Sequence, residues 1–153
     1  RETLFNWLQA DIVGTHCLDL FAGSGALGLE ALSRGASRVV LVDEAHAVTH
    51  QLETNLQLLQ TDSARVARMS VQAFLERGPG DARYDLIFLD PPFGQDLIPS
   101  TLQLLEDKHW LAPGARIYVE CERQLYELSL PAGWKLLKEK KSGQVIYRLV
   151  GRE

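Results

Sequence analysis

Long hydrophobic runs are the first feature that this 153-residue sequence lacks. No stretch approaches the roughly 20 consecutive apolar residues that a membrane-spanning helix needs, and no signal-peptide pattern opens the chain. We therefore expect a cytoplasmic protein with no membrane partner. With 46% hydrophobic residues the chain can bury a sizeable core, and its length fits a single domain over residues 1–153.

Cysteine is scarce as well, because Cys17 and Cys121 are the only two in the sequence. Both lie in apolar, strand-like runs, so we expect buried free thiols rather than a disulfide or a metal pair. His46 and His50 have the i, i+4 spacing of some metal sites, but no third ligand is evident. The sequence therefore predicts no metal site, and these histidines are interpreted as surface residues.

Positive charge is in deficit, since the formal net charge is −4. This balance argues mildly against a polyanion partner, which clustered lysine and arginine would meet. The deficit is uneven, because residues 135–153 hold six basic residues against two acidic ones. Such a stretch is more often a solvated face than a nucleic-acid site, and its meaning depends on the rest of the chain.

A glycine-rich turn follows the first apolar run of the chain. Residues 17–20 read as a buried strand, and the turn after them leads without a break into a helix. Gly23 and Gly25 permit a tight turn with bare backbone for a ligand, while Gly28 lets the helix pack close to its strand. The context between strand and helix predicts a nucleotide-binding loop.

A second acid strengthens this prediction. Asp43 ends the apolar run of residues 39–42, twenty residues after Gly23. A carboxylate at that position can accept hydrogen bonds from both hydroxyls of a ribose. The loop and the acid together predict a cofactor that carries a nucleoside.

Strand and helix patterns alternate from residue 16 to residue 121. Predicted strands cover about 16–21, 38–43, 64–69, 84–90 and 116–121, with helices between them and an opening helix over 1–8. The alternation predicts an α/β fold with a Rossmann-like, doubly wound, mostly parallel sheet. Ser142-Gly143, between strands at 134–141 and 144–150, predicts a C-terminal antiparallel hairpin, which gives seven strands in all.

The tetrapeptide 90–93, Asp-Pro-Pro-Phe, ends the fourth predicted strand. Asp90 can accept a hydrogen bond from an amino group, and the prolines supply carbonyls without competing N–H donors. Phe93 offers a face on which a base can stack. Ligands of open α/β sheets bind beyond the carboxyl ends of the strands, so we expect one crevice to gather Gly23, Asp43, Ser70 and Asp90. Glu120 and Glu122, at the end of the fifth strand, could line this crevice, but the preferred interpretation is a solvated strand end.

These motifs resemble those of class I methyltransferases that use S-adenosylmethionine. Residues 19–28 are similar to the cofactor loop, and residues 90–93 to the [Asn/Asp/Ser]-Pro-Pro-[Tyr/Phe] motif of enzymes that methylate exocyclic amines. More narrowly, the chain resembles the bacterial RsmD-type methyltransferases, which methylate N2 of one guanine in 16S rRNA. Residues 1–8, 18–25, 89–93 and 143–149 carry that resemblance, which covers essentially the whole chain.

The resemblance implies S-adenosyl-L-methionine as the cofactor, and rRNA or a partly assembled small ribosomal subunit as the partner of a monomeric enzyme. It implies that a basic segment precedes Arg1, and that Ser70 stands where relatives often have Asn or Asp. The implied catalytic residues are Asp90, Pro91, Pro92 and Phe93. The implied cofactor-binding residues are Asp19, Phe21, Ala22, Gly23, Ser24, Gly25, Gly28, Asp43, Ser70 and Val71.

Three other functions stay open at this point. A DNA adenine-N6 or protein glutamine methyltransferase would use the same tetrapeptide, although no insert for DNA sequence recognition is evident. A dinucleotide-dependent oxidoreductase would account for residues 23–43 but would leave residues 90–93 without a role. A non-catalytic RNA-binding domain with this fold is disfavoured by the intact cofactor loop and Asp90.

Overall fold

The computed structural model describes residues 2–92, 94, 96–122 and 128–152, which form an open sheet flanked by helices. The helices are α1 (Glu2–Leu8), α2 (Ala26–Ser33), α3 (His46–Leu59), α4 (Val71–Glu76) and α5 (Ile98–Asp107). The strands are β1 (His16–Leu20), β2 (Arg38–Asp43), β3 (Ala64–Arg68), β4 (Tyr84–Leu89), β5 (Leu111–Glu122), β6 (Trp134–Ser142) and β7 (Val145–Arg152).

The seven strands have the order β3-β2-β1-β4-β5-β7-β6. Strands β1 to β5 pair in parallel, whereas β7 runs antiparallel to both β5 and β6. This arrangement confirms the predicted Rossmann-like, mostly parallel sheet with a C-terminal antiparallel hairpin. The strand order reverses between β1 and β4, and an open α/β sheet forms its ligand crevice at such a switch point.

Helices cover both faces of the sheet, as the alternating pattern requires. Helices α4 and α5 pack on one face, where they bury Phe74, Leu102 and Leu105. Helices α1, α2 and α3 cover the other face through Leu4, Ala31, Leu52 and further apolar residues. The central strands are buried on both faces, which explains why β2 reads as an unbroken run of valine and leucine.

Two strand boundaries differ from the sequence prediction. Strand β5 begins at Leu111, five residues early, so Pro113 and Gly114 lie inside the strand rather than in a turn before it. The pairing of β4 with β5 shifts register between Tyr84 and Leu86. Such an irregularity in the ladder can accommodate Pro113, which has no N–H to donate. The hairpin turn is Gly143-Gln144, one residue later than predicted, since Ser142 still pairs with Val145.

Both cysteines are buried free thiols, as predicted. Burial raises the pKa of the Cys17 thiol to about 11. None of the helices in the described ranges combines the length and the apolar character that crossing a bilayer requires.

Candidate functional site

A cavity of about 540 Å³ lies at the carboxyl ends of the strands, beside the switch point between β1 and β4. Its walls combine acidic side chains, bare backbone and apolar side chains, which suits a ligand with both polar and apolar parts. The lining residues are Phe21, Gly23, Asp43, Glu44, Ala45, Ser70, Val71, Gln72, Asp90, Pro91, Pro92, Leu97, Ser100, Thr101 and Leu104.

The loop after β1 forms one wall of this cavity. Gly23 and Gly25 both adopt positive φ, 55° and 77°, which a residue without a side chain tolerates at no steric cost. Phe21 also lies in the left-handed region, with φ of 61°, although it is a bulky residue. Backbone strain of this kind is concentrated at ligand sites, and Phe21 does line the cavity.

Asp19 and Gly28 hold the loop from behind. The Gly28 N–H donates to Oδ2 of Asp19 at 2.9 Å, and the Asp19 side chain is buried. Burial raises the pKa of Asp19 to about 8, and the Asp90 and Asp43 carboxyls add to the rise. Neither Asp19 nor Gly28 lines the cavity, so any contribution to cofactor binding passes through the loop.

The remaining predicted loop residues also lie outside the cavity wall. Ala22 accepts a hydrogen bond from the Gly25 N–H at 2.8 Å, which closes the turn. A side chain at Gly25 would lie 2.6 Å from Cδ2 of Leu52, so the glycine permits close packing of the loop on α3. Ser24 lines an adjoining apolar cavity of about 260 Å³.

Asp43 fastens the end of β2 to the loop. Its Oδ2 accepts from the Gly23 N–H and its Oδ1 from the Ala45 N–H, each at 3.0 Å. These two bonds fix the carboxylate at the cavity wall, and each oxygen keeps a lone pair for a ligand hydroxyl. The predicted pairing of loop and acid is therefore present in the structure.

Ser70 and Val71 line the cavity at the start of α4. The Ser70 hydroxyl accepts from the Ala73 N–H at 3.1 Å and caps the helix. This local role explains why serine suits the position, because short hydroxyl side chains are favoured at helix N-caps.

Asp90, Pro91 and Pro92 meet the cavity at the end of β4, opposite Gly23 and Asp43. Partial burial and the neighbouring Glu120 carboxyl raise the pKa of Asp90 to about 6. A carboxyl group with such a pKa can exchange a proton near neutral pH. Phe93, the fourth predicted catalytic residue, lies outside the described residues.

Glu120 contradicts its interpretation as a solvated strand end. Its Oε1 accepts from the Tyr118 hydroxyl at 2.8 Å, and its carboxyl adds to burial in raising the pKa of Asp90. The register shows why, because Leu89 pairs with Val119 and the next residues of both strands therefore lie side by side. The contact arises because β4 and β5 are neighbours in the sheet. The sequence pattern does not reveal the order of the strands, so it could not predict this contact.

Helix α5 supplies a wall of the cavity that sequence reasoning missed. Ser100, Thr101 and Leu104 lie on one face of this helix and line the cavity. Their i, i+1, i+4 spacing is typical of any amphipathic helix, so it carried no signal for a ligand.

His46 and His50 lie on α3 with their rings 6.3 Å apart. His46 Nδ1 is 2.6 Å from Nη1 of Arg68. Among the described residues, no group of three or more His, Cys, Asp and Glu side chains is placed to hold a metal ion.

Comparison with known proteins gives a consistent result. The family model "Conserved hypothetical protein 95" matches residues 1–151. Ribosomal RNA small subunit methyltransferase D of Escherichia coli K12 is 49% identical over all of this chain and 76% of its own length. The protein of the same name from Haemophilus influenzae is 46% identical over 97% of this chain and 78% of its own length.

The solved structures agree with the sequence matches. The putative methyltransferase yhhF from Escherichia coli superposes with a TM-score of 0.94 at 49% identity, over 99% of this chain and 85% of that one. The resemblance drawn from the motifs is therefore confirmed. This chain belongs to the "Conserved hypothetical protein 95" family, which is the family of the RsmD-type methyltransferases.

Proposed function

We propose that this protein transfers a methyl group from S-adenosylmethionine to the exocyclic N2 amine of a guanine in small-subunit rRNA. One observation carries the proposal: Asp90 and Pro91 line the same cavity as Gly23 and Asp43. A motif suited to a planar amine thus faces a loop suited to a nucleoside cofactor, within a single crevice.

The chemistry of the cavity fits such a cofactor. The Asp43 and Asp90 carboxyls line the cavity and the Asp19 carboxyl is buried behind it, and this concentration of acids favours a cation in the cavity. A Cβ placed on Gly23 would meet nothing within 4 Å, so the loop leaves open space beside its backbone. We assign the ribose hydroxyls to Asp43 and the adenine side to Ser70 and Val71. When bound, the cofactor supplies a methyl group on a positively charged sulfur.

The protein's own residues have an orienting task. The lone pair of a guanine N2 amine is delocalised into the ring, so the amine is a poor nucleophile. We assign its two N–H groups to the Asp90 carboxylate and the Pro91 carbonyl, which would favour a more pyramidal nitrogen. Holding the amine in line with the methyl group is then most of the catalytic task. The base must leave its stack to enter, and Phe93 is proposed to stack on it.

Support for an rRNA substrate comes from the relatives, which carry the name ribosomal RNA small subunit methyltransferase D. It also comes from β6, which lies at the sheet edge and exposes Lys138, Lys140 and Lys141. Residues 135–153 present less positive charge than their composition indicates, because Arg148 pairs with Glu139 and Arg152 with Glu106, each at 2.9 Å. We propose that the β6 lysines contact RNA phosphates in the cytoplasm.

Neutralising these lysines should weaken RNA binding. The triple variant Lys138→Gln, Lys140→Gln, Lys141→Gln is expected to lower affinity for small-subunit particles and to reduce the slope of log K against log salt by about 2 to 3. Filter binding at several salt concentrations measures both quantities.

The matched control removes three positive charges elsewhere, through Arg38→Gln, Arg65→Gln and Lys108→Gln. These exposed residues lie near the amino ends of their strands or at the end of α5, away from the cavity. The control is expected to leave the salt slope near the wild-type value. Equal slopes for all three proteins would contradict a phosphate-contacting role for β6.

Cofactor binding should release protons. A cation beside Asp90, which lines the cavity, favours its ionised form, so the raised pKa of Asp90 should fall when S-adenosylmethionine binds. At pH 6, where Asp90 is about half protonated, we expect the release of up to about half a proton per cofactor bound. Calorimetry in buffers of different ionisation enthalpy measures the release.

S-adenosylhomocysteine is the matched ligand, because it lacks only the methyl group and the charge on sulfur. It should bind with a smaller proton release, and NAD should not bind. Equal release for the two sulfur ligands would contradict the assigned position of the cation, and NAD binding alone would favour an oxidoreductase.

The proposed substrate is tested by transfer of labelled methyl groups. Assembling small-subunit particles, naked 16S rRNA, DNA and ribosomal protein are offered in parallel, with the RNA taken from cells that lack the endogenous activity. We expect label in small-subunit rRNA. Label in DNA or in protein glutamine would replace this proposal with one of the alternatives above.

A further inference from the structure

Two carboxyl groups lie side by side at the proposed target-amine site. Leu89 of β4 pairs with Val119 of β5, and the residues that follow them are Asp90 and Glu120. Burial raises the pKa of Asp90 to about 6, and the Glu120 carboxyl lies close enough to contribute to this rise. Two ionised carboxylates side by side repel each other, so the pair favours the binding of one proton.

Glu120 is held in place from its other side. The Tyr118 hydroxyl donates to Oε1 of Glu120 at 2.8 Å, and the Tyr118 side chain is buried. Tyr147 of β7 pairs with Glu120 across the ladder, and its ring lies parallel to that of Tyr118 at 6.4 Å. Burial keeps Tyr118 protonated by raising its pKa, so it remains a donor to Glu120.

We propose that Glu120 is a positioning residue that shares one proton with Asp90, and that this pair takes up the proton which the target amine loses on methylation. The inference rests on the proposed function, since it needs an amine at Asp90. It goes further by giving a role to a residue outside the Asp-Pro-Pro-Phe motif.

The reaction balances with this pair as the proton acceptor. The nitrogen lone pair forms the new N–C bond while the C–S bond breaks, and the bonding electrons remain on sulfur, which becomes neutral. The methylated nitrogen then carries one proton too many, and an ionised oxygen of the pair accepts it. The pair returns to its starting state when a proton passes to solvent.

The surroundings favour a shared proton. Most of the ionisable groups around the pair are acidic, so repulsion opposes double ionisation. Lys140 lines a small cavity of about 110 Å³ together with Tyr118 and Tyr147. Asp19 on β1, Tyr118 on β5 and Tyr147 on β7 interact with the pair, and Glu122 on β5 lines a small cavity with Glu120. Asp43 on β2 lines the main cavity with Asp90, and Lys140 on β6 lies beside the two tyrosines.

The first test measures the pKa of Asp90 in the unliganded protein. Carbon-detected NMR titration of side-chain carboxyls compares the wild type with Glu120→Gln. Glutamine can still accept from Tyr118, but it removes the neighbouring charge and donates an N–H to Asp90. The pKa of Asp90 is therefore expected to fall by about one unit or more. An unchanged pKa would overturn the proposal.

The second test follows kcat against pH with saturating cofactor. In Glu120→Gln the acidic limb is expected to move to lower pH, and the plateau to fall about tenfold, with KM for the particle unchanged. Glu53→Gln removes an exposed carboxylate on α3 and should leave limb and plateau at their wild-type positions. A variant that lost activity through KM, with its limb in place, would show a merely structural role and overturn the proposal.

Cofactor calorimetry and thermal unfolding confirm that each variant is folded and loaded. Failure of the proposed function looks different from failure of this inference. If the wild type transfers no methyl group to any rRNA substrate, the proposed function fails. If the wild type is active but Glu120→Gln has the same Asp90 pKa and the same pH profile of kcat as the wild type, only the shared-proton role fails.

Discussion

Asp90→Ala is expected to lower kcat for methyl transfer about 10³-fold or more, while the affinity for S-adenosylmethionine falls by no more than about tenfold, the part that the Asp90 carboxylate contributes by attracting the sulfonium. The substitution removes the acceptor that orients the amine and half of the pair proposed to receive its proton, and each contribution is large. Single-turnover transfer to small-subunit particles measures the chemical step, and calorimetry measures cofactor affinity.

The matched control is Asp81→Ala, which removes an exposed acid from the turn before β4. It should behave as the wild type. Residual activity of Asp90→Ala within tenfold of the wild type would contradict the catalytic assignment. A large loss of cofactor affinity would instead place Asp90 mainly in cofactor binding.

Gly28→Val is expected to cause a large loss of stability. A Cβ at Gly28 would lie 2.7 Å from Cδ2 of Leu41, 2.9 Å from Oδ2 of Asp19 and 3.0 Å from Cγ1 of Val39. All three neighbours are buried side chains, so the chain must shift to make room. Overpacking of this kind typically lowers the free energy of unfolding by about 1–3 kcal/mol, and we expect the upper part of that range.

Urea unfolding without ligand measures this loss, with Ser33→Val as the control. Ser33 is an exposed residue of the same helix, so valine there changes helix propensity without filling occupied space. We also expect Gly28→Val to weaken cofactor binding, because it displaces the Asp19 contact that holds the loop. A free energy of unfolding within 0.5 kcal/mol of the control, taken as the usual scatter of surface substitutions, would contradict the packing argument.

The sequence predicted the parallel sheet and its crevice because the relevant signals are local. The backbone conformation at Gly23 and the close packing at Gly28 each require glycine. Asp43 is recognised by its position at the end of a strand. The structure adds that Asp19 and Gly28 act behind the loop. That division follows from burial, which no spacing in the sequence reveals.

The Glu120 contact could not be predicted in the same way. It depends on β5 lying beside β4 and on a register that pairs Leu89 with Val119. Long-range pairing of this kind is set by the whole sheet and not by nearby residues. The interpretation of Glu120 as solvated failed for that reason.

Residues 135–153 show the opposite error, because their composition overstates the positive charge of the surface. Arg148 and Arg152 belong to the same basic stretch of sequence as the β6 lysines. In the structure, Arg148 forms an ion pair with Glu139, and Arg152 forms one with Glu106. Charge counting cannot distinguish a cation that faces solvent from one that is paired. The hairpin turn lies one residue later than predicted. Ser142 and Gly143 both suit a turn, and only the pairing of β6 with β7 decides which residues form it.

The chemical identity of the methylated nucleoside tests the central claim most directly. Small-subunit particles are methylated in vitro with labelled cofactor, the RNA is digested to nucleosides, and the product is identified by mass spectrometry against synthetic standards. A site that presents an exocyclic amine to Asp90 and Pro91 predicts N2-methylguanosine, absent with Asp90→Ala. Methylation of a ring nitrogen, a carbon or a ribose hydroxyl would contradict it.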